Sequence, residues 1–212
     1  MDQPLIIVKD LSITHFGKLL LSPVHFSVFM DERVALVGST EQGTLELLLA
    51  LSGKLSGISR QAVQIRPALK KSRDFFSFGA QDPFFPLLPT MTLQESLCYF
   101  SASKGRRLTR HEAGHYLSMW GFAKLKDSKV SALSFLEYAQ FCAALSLLHN
   151  PHCILLHEPT KNLTDPERKK FWDFFLSLRP PALLFTTPSQ EEAKMAHARV
   201  IELPKGEHHA RR

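Results

Sequence analysis

The sequence predicts an α/β fold in which a helical segment interrupts a series of strands. Three observations predict it. Apolar and polar residues alternate over 5–14 and 24–29, as in half-buried strands. An apolar strand over 33–37 runs into a turn framed by Gly38 and Gly43 and then into an apolar helix. Helical patterning from Thr92 to about His149 separates this region from a second set of strand and helix signals that begins at Cys153. The chain has 212 residues, 44% of them hydrophobic, enough to bury a core as one domain or a domain with a subdomain.

The elements follow in order. Asp31 and Glu32 turn the chain into strand 33–37, and helix 44–52 stops at Gly53. Short strands are predicted at 63–66 and 75–78, followed by a proline-rich aromatic loop, Gln81-Asp82-Pro83-Phe84-Phe85-Pro86-Leu87-Leu88-Pro89. Thr92 with Glu95, and Thr109 with Glu112, have the spacing of capping boxes, in which hydroxyl and carboxylate satisfy the free N–H groups of a helix start. A strand over 153–156, a helix over 166–178, a strand over 182–186, a short helix near Ser189 and a strand over 199–203 complete the chain. The tail 204–212 is polar and predicted to be loose. The expected organisation is one domain over 1–212 with a helical subdomain at about 90–150.

No stretch of eighteen apolar residues exists, so no membrane span is predicted, and the start lacks the basic and apolar pattern of a secretory signal. Cys98, Cys142 and Cys153 lie far apart in apolar runs, which predicts buried thiols in a reducing compartment rather than a disulfide framework. The net charge of +6 comes mostly from scattered residues, so no nucleic-acid partner is expected.

The turn carries the chemistry. Gly38, four residues and Gly43 have the spacing of the phosphate-binding pattern G-x-x-x-x-G-K-[ST], with Thr44 at the lysine position and Leu45 at the metal-binding hydroxyl. The glycines permit a backbone wrap whose N–H groups face an anion. Thr44 supplies no positive charge, and Leu45 has no oxygen for magnesium. Glu46 places a carboxylate in the first helical turn. There it either substitutes for a phosphate or is an ordinary first-turn acid.

The order of features resembles the nucleotide-binding domain of ABC transporters over about residues 4–203. Gly38 to Gly43 is similar to the Walker A frame, Gln81 to the start of the Q-loop, and Leu133-Ser134 to the start of the signature. Ile154-Leu155-Leu156-His157-Glu158 is similar to the Walker B strand and its glutamate. The resemblance implies a P-loop NTPase-like ABC ATPase fold with an N-terminal antiparallel β subdomain and a helical subdomain. It also implies roles. Phe16 would stack on adenine; Gly38, Gly43, Thr44, Leu45, Gln81 and Ser134 would line the nucleotide site; and Glu158 would be the general base. Gln81, Phe84, Phe85, Leu87 and Leu88 would face membrane subunits, or else pack on their own helical subdomain.

The departures from the family are concentrated in its chemistry. His157 stands where the family has a metal-binding Asp, and Pro188 where it has a switch histidine. Phe135 and Leu136 replace signature glycines and are expected to fill the space that a ligand would take. The expectation is therefore that there is no cofactor, with ATP and magnesium bound weakly or not at all, and that hydrolysis is lost. The expected role is a degenerate ABC-type subunit that docks on transmembrane components in an assembly or regulatory capacity, peripheral on the cytoplasmic face. It would pair with itself or with another ABC domain. Two alternatives stay open. One is an ATP-binding component with residual or complex-dependent ATPase activity, its missing charge supplied from Lys70-Lys71 or Lys161; the other is a soluble scaffold.

His111-Glu112-Ala113-Gly114-His115 matches the zinc-protease pattern H-E-x-x-H. It lacks a third ligand at the required spacing, and a solvated helix face is the expected reading.

Overall fold

The computed structural model describes residues 3–15, 18–55, 62–69, 75–78, 87–103 and 105–204. The predicted loose tail therefore lies outside the described residues beyond Pro204. The chain divides into two compact units. One comprises Met1–Phe76, His152–Pro159 and Pro181–Arg212; the other comprises Ser77–Pro151 and Thr160–Pro180.

The first unit holds most of the strands. β1 (Ile6–His15) pairs antiparallel with β2 (Lys18–Val28) and with β4 (Val63–Ile65). A parallel set is built from β3 (Arg33–Val37), β6 (Cys153–His157), β7 (Ala182–Thr187) and β8 (Arg199–Glu202), with β5 (Phe76–Ser77) at one edge, in the order β5-β6-β7-β3-β8. Val34, Leu36, Ile154, Leu155, Leu183 and Leu184 are all fully buried. Strands covered on both faces read as continuous apolar runs, which is why β3, β6 and β7 are plain in the sequence.

β1 carries a bulge. Val8 and Leu11 are both buried although three residues apart, and a strict period of two would place them on opposite faces. The register shifts between them, and Asp10 takes a φ of 50°, so one extra residue restores Leu11 to the inner face. β2 starts six residues earlier than its alternation predicts, at Lys18 rather than Val24. The Leu19-Leu20-Leu21 run and Pro23 hide it. β2 is an edge strand of its sheet, where a proline's missing N–H costs no ladder bond.

α1 (Thr44–Leu51) follows the loop, with Gly53 at a φ of 72° just past its end. α6 (Gln190–Met195) leads into β8.

The second unit is helical: α2 (Leu93–Ser103), α3 (Arg110–Met119), α4 (Phe135–Leu145) and α5 (Asp165–Ser177). Leu93, Leu97, Leu117, Phe141 and Leu145 are fully buried in its core. Each helix start is closed by a capping box: Thr92 with Glu95, Thr109 with Glu112, Ser134 with Glu137, and Thr164 with Glu167. On α5, Phe171, Trp172 and Phe175 are fully buried, the first two edge-to-face at 5.1 Å. Among the described residues, no helix is long and apolar enough to cross a membrane.

Candidate nucleotide-binding site

β3 ends at Val37, and Gly38 N–H donates to Thr187 O at 3.0 Å, fixing the loop's first residue to β7. Thr40–Gln42 form a 3-10 turn. Gln42 ties the turn down twice: its Oε1 accepts from Ser39 N–H at 2.6 Å and its Nε2 donates to Leu203 O at 3.0 Å. Gly38 makes room for this, since a Cβ there would lie 3.1 Å from Gln42 Oε1 and 3.2 Å from Leu203 Cβ. Gly43 is required twice over. Its φ is 70°, and a Cβ would lie 3.2 Å from Leu20 Cβ.

α1 starts from this glycine without a side-chain cap. Its first-turn N–H groups have no intrahelical acceptor, the usual condition of a helix start. Thr44 is fully buried, and its Oγ1 has no hydrogen-bond partner among the described residues. Leu45 and Glu46 are half-buried beside it.

Glu158 follows β6 with a φ of 41°. Its N–H donates to Thr186 O at 3.1 Å and to Thr186 Oγ1 at 3.2 Å. The side chain is 9% exposed, and its Oε1 accepts from Thr40 Oγ1 at 2.5 Å. The loop and the strand-end glutamate thus meet through a hydrogen bond between residues 118 apart in sequence. His157 Nδ1 lies 2.9 Å from Thr186 Oγ1. Pro188 is exposed, and Thr187 Oγ1 beside it donates to the buried Glu192 carboxylate at 2.6 Å.

The remaining sequence-predicted positions are dispersed. Phe16, Gln81, Phe84 and Phe85 lie outside the described residues, as do Lys70 and Lys71. Leu87 is buried in the core of the helical unit, whereas Leu88 is 40% exposed. In the helical unit, Ser134 caps α4, its Oγ accepting from Glu137 N–H at 3.2 Å. Phe135, expected to fill the space that a ligand would take, is 71% exposed at the start of α4. As the first residue of a capped helix it points away from the helix's packed face.

His111 and His115 are exposed on α3, while Glu112 is engaged in its cap, accepting from Thr109 N–H and O–H at 2.8 Å each. Those bonds hold its carboxyl below the usual range, so it is a poor base. Among the described residues no group of three or more His, Cys, Asp and Glu side chains could hold a metal ion. Burial pushes the Cys142 thiol up to about 12 and raises that of Cys153 as well. Both are inert, packed thiols.

Sequence reasoning missed Thr40, Gln42 and Thr186. One signal was present. Ser39-Thr40-Glu41-Gln42 has the S-x-x-Q spacing of a capping box, which predicts a side-chain-tethered turn inside the glycine frame.

No protein-family model matches the chain. The zinc import ATP-binding protein ZnuC of Paracoccus denitrificans is 30% identical over 177 residues, covering 83% of this chain and 65% of that protein. A putative ABC transporter ATP-binding protein of Streptomyces coelicolor is 30% identical over 177 residues, covering 80% of this chain and 68% of its own length. The chain thus spans about two thirds of the length of these curated relatives. CbiO1 from Clostridium perfringens, part of the ABC transporter complex cbiONQ, superposes with a TM-score of 0.76 at 18% identity, covering 96% of this chain and 85% of that one, which establishes the fold.

The relatives overturn one expectation. They are ATP-binding proteins, so the absence of a cofactor does not stand, and ATP is the cofactor the family implies. The loop fits a phosphate group. The buried Thr44 hydroxyl lacks an acceptor, and the first-turn N–H groups of α1 are donors for an anion. The sequence expectation erred because it judged the site by its missing lysine, whereas backbone donors and a hydroxyl remain. An α/β fold with this loop, and relatives 30% identical to it over 80–83% of its length, place the chain in the family of ABC transporter ATP-binding proteins.

Proposed function

We propose that this chain is the ATP-binding component of an ABC-type transport complex in which hydrolysis is attenuated and depends on the assembled complex. It docks on transmembrane subunits from the cytoplasmic face and pairs with a second ABC domain, which is itself or another chain. The observation that carries the reading is the 2.5 Å hydrogen bond from Thr40 to Glu158. A general base must be free to accept a proton from water. Here the glutamate at the base position is buried and bonded to the chain's own loop. Thr44 in place of a lysine, and His157 in place of a metal-binding acid, point the same way.

A second reading is a subunit that assembles and regulates without turnover. Phe135 favours it, since a largely exposed phenyl ring at the signature position presents apolar surface rather than the backbone that close approach to a ligand requires. A soluble scaffold is the remaining class.

Purification from membranes with whatever co-purifies, followed by ATP-binding and turnover measurements on the complex and on the chain alone, separates the three. The proposal expects membrane subunits in the preparation, ATP bound by the chain alone, and slow turnover seen only in the complex. Turnover by the isolated chain at the rate of an ordinary ATPase, abolished by Glu158→Gln, would overturn it. Complete absence from the membrane fraction would point to the scaffold.

A further inference from the structure

We propose that Thr40 and Glu158 form a latch that opposes nucleotide entry, so that the loop has two arrangements and releasing the latch raises affinity for ATP. The inference rests on the reading of the Gly38–Gly43 loop as the nucleotide site. Thr40 is a positioning residue: it acts through the Glu158 carboxylate.

Three features make the contact a latch rather than an incidental bond. The acceptor is anchored. Glu158 N–H is shared by Thr186 O and Thr186 Oγ1 at 3.1 and 3.2 Å, and its backbone is held at a φ of 41°, a conformation that a non-glycine residue keeps only when its surroundings fix it. The donor sits on the 3-10 turn of Thr40–Gln42, between Gly38 and Gly43. A second tether, Gln42 Nε2 to Leu203 O, holds the same turn. The loop is therefore fastened at both ends of its turn by side chains reaching across the fold.

The latched arrangement also leaves something undone. Thr44 Oγ1 is fully buried one residue past Gly43 with no partner among the described residues. Buried hydroxyls are rarely left so, and each such orphan calls for an explanation. A phosphate oxygen is an acceptor of the kind this hydroxyl lacks. Meanwhile the latch draws the Glu158 carboxylate onto the loop, and a carboxylate repels a triphosphate at such range. One arrangement satisfies Thr40 and Glu158 and strands Thr44; the other satisfies Thr44 and must part Thr40 from Glu158. A ligand that binds only the second arrangement has its apparent affinity reduced by the fraction of chain in the first.

The test is equilibrium binding of ATP, with magnesium present, to the purified full chain and to three variants, with thermal melting of each as a control. Thr40→Val keeps the shape of the side chain and removes the donor. It is expected to bind ATP about tenfold more tightly, the loss of a hydrogen bond to a charged group being large on this scale. Thr40→Ser restores the hydroxyl and is expected to restore wild-type affinity. Glu158→Gln keeps an acceptor but removes the charge, and is also expected to tighten binding. Hydrogen exchange of the 39–43 amides without ATP is expected to quicken in Thr40→Val. Unchanged or weaker ATP binding by a folded Thr40→Val overturns the latch. If that variant does not fold, unchanged binding by Glu158→Gln overturns it instead. Affinity decides the latch whatever the turnover, and turnover of the complex decides the functional reading whatever the affinity.

Discussion

The starts of α2 to α5 and the loop before α1 differ in how far along the chain their polar groups reach for a partner. Each of α2 to α5 is closed at its start by a partner three residues away, as in Thr109 with Glu112 and Ser134 with Glu137. α1, which opens from the loop, has no side-chain cap. The loop before it is held by partners 118 and 161 residues distant, Glu158 and Leu203. Local contacts form with little loss of chain entropy and stay formed, whereas distant ones exist only once the fold has brought both ends together. The first design makes stable helix starts. The second makes a turn whose state depends on the rest of the molecule, which is what a ligand-responsive loop requires.

The buried aromatic residues of α5 carry the largest expected effect. Trp172 is fully buried, with its ring 5.1 Å from that of Phe171 and 6.5 Å from that of Phe175. Trp172→Ala is expected to cost about 3–5 kcal/mol, measured by denaturant unfolding. A cost under about 1 kcal/mol would mean that α5 is held by its cap and not by its aromatic core.

The loop has a smaller but sharper sensitivity. Gly43→Ala puts a side chain on a residue at φ 70° and a Cβ 3.2 Å from Leu20 Cβ. The left-handed backbone alone costs about 1–2 kcal/mol. The expected loss is therefore about 1–3 kcal/mol by the same measurement, and ATP binding should weaken with it. Gly53 makes the control. Its φ of 72° carries the same backbone cost, but a Cβ there meets nothing within 4 Å, so Gly53→Ala should lose stability without changing ATP affinity. Equal effects of the two on binding would dissolve the distinction between loop and helix end.

These ranges explain what could be read from the chain. Buried strands with contiguous apolar runs, such as β6 and β7, announced themselves, as did helices whose caps lie three residues apart. The first part of β2 did not, because Leu19-Leu20-Leu21 has no period of two and Pro23 argues against a strand except at an edge, a property of the sheet and not of the segment. The glycine frame was legible for the same reason as the caps: its spacing is local. That Thr40 would find Glu158 was not, since neither residue type nor spacing encodes a meeting across the fold. The exposure of Phe135 was likewise invisible, because a phenylalanine after an N-cap looks the same in sequence whether it packs inward or stands in solvent.

The capping boxes give the smallest effect and the clearest sign. Thr92, Thr109 and Thr164 donate through backbone or hydroxyl groups to Glu95, Glu112 and Glu167, and these bonds hold all three carboxyls below the usual carboxylate range. A carboxyl whose folded pKa is depressed binds fewer protons in the folded state than in the unfolded one. Its contribution is therefore complete above the ordinary carboxylate pKa of about 4.3 and declines as pH falls through the folded value. Melting temperature should accordingly drop between neutral pH and pH 3. Thr109→Ala is expected to cost about 1 kcal/mol at pH 7, and less at pH 3, since Glu112 takes up a proton as pH falls through its lowered value and the Thr109 hydroxyl's bond to the carboxylate weakens. If the cost of Thr109→Ala proves the same at both pH values, the hydroxyl's own bond to Glu112 N–H holds the helix start and the carboxylate adds nothing. The contrast between local and distant polar contacts would then rest on the loop alone.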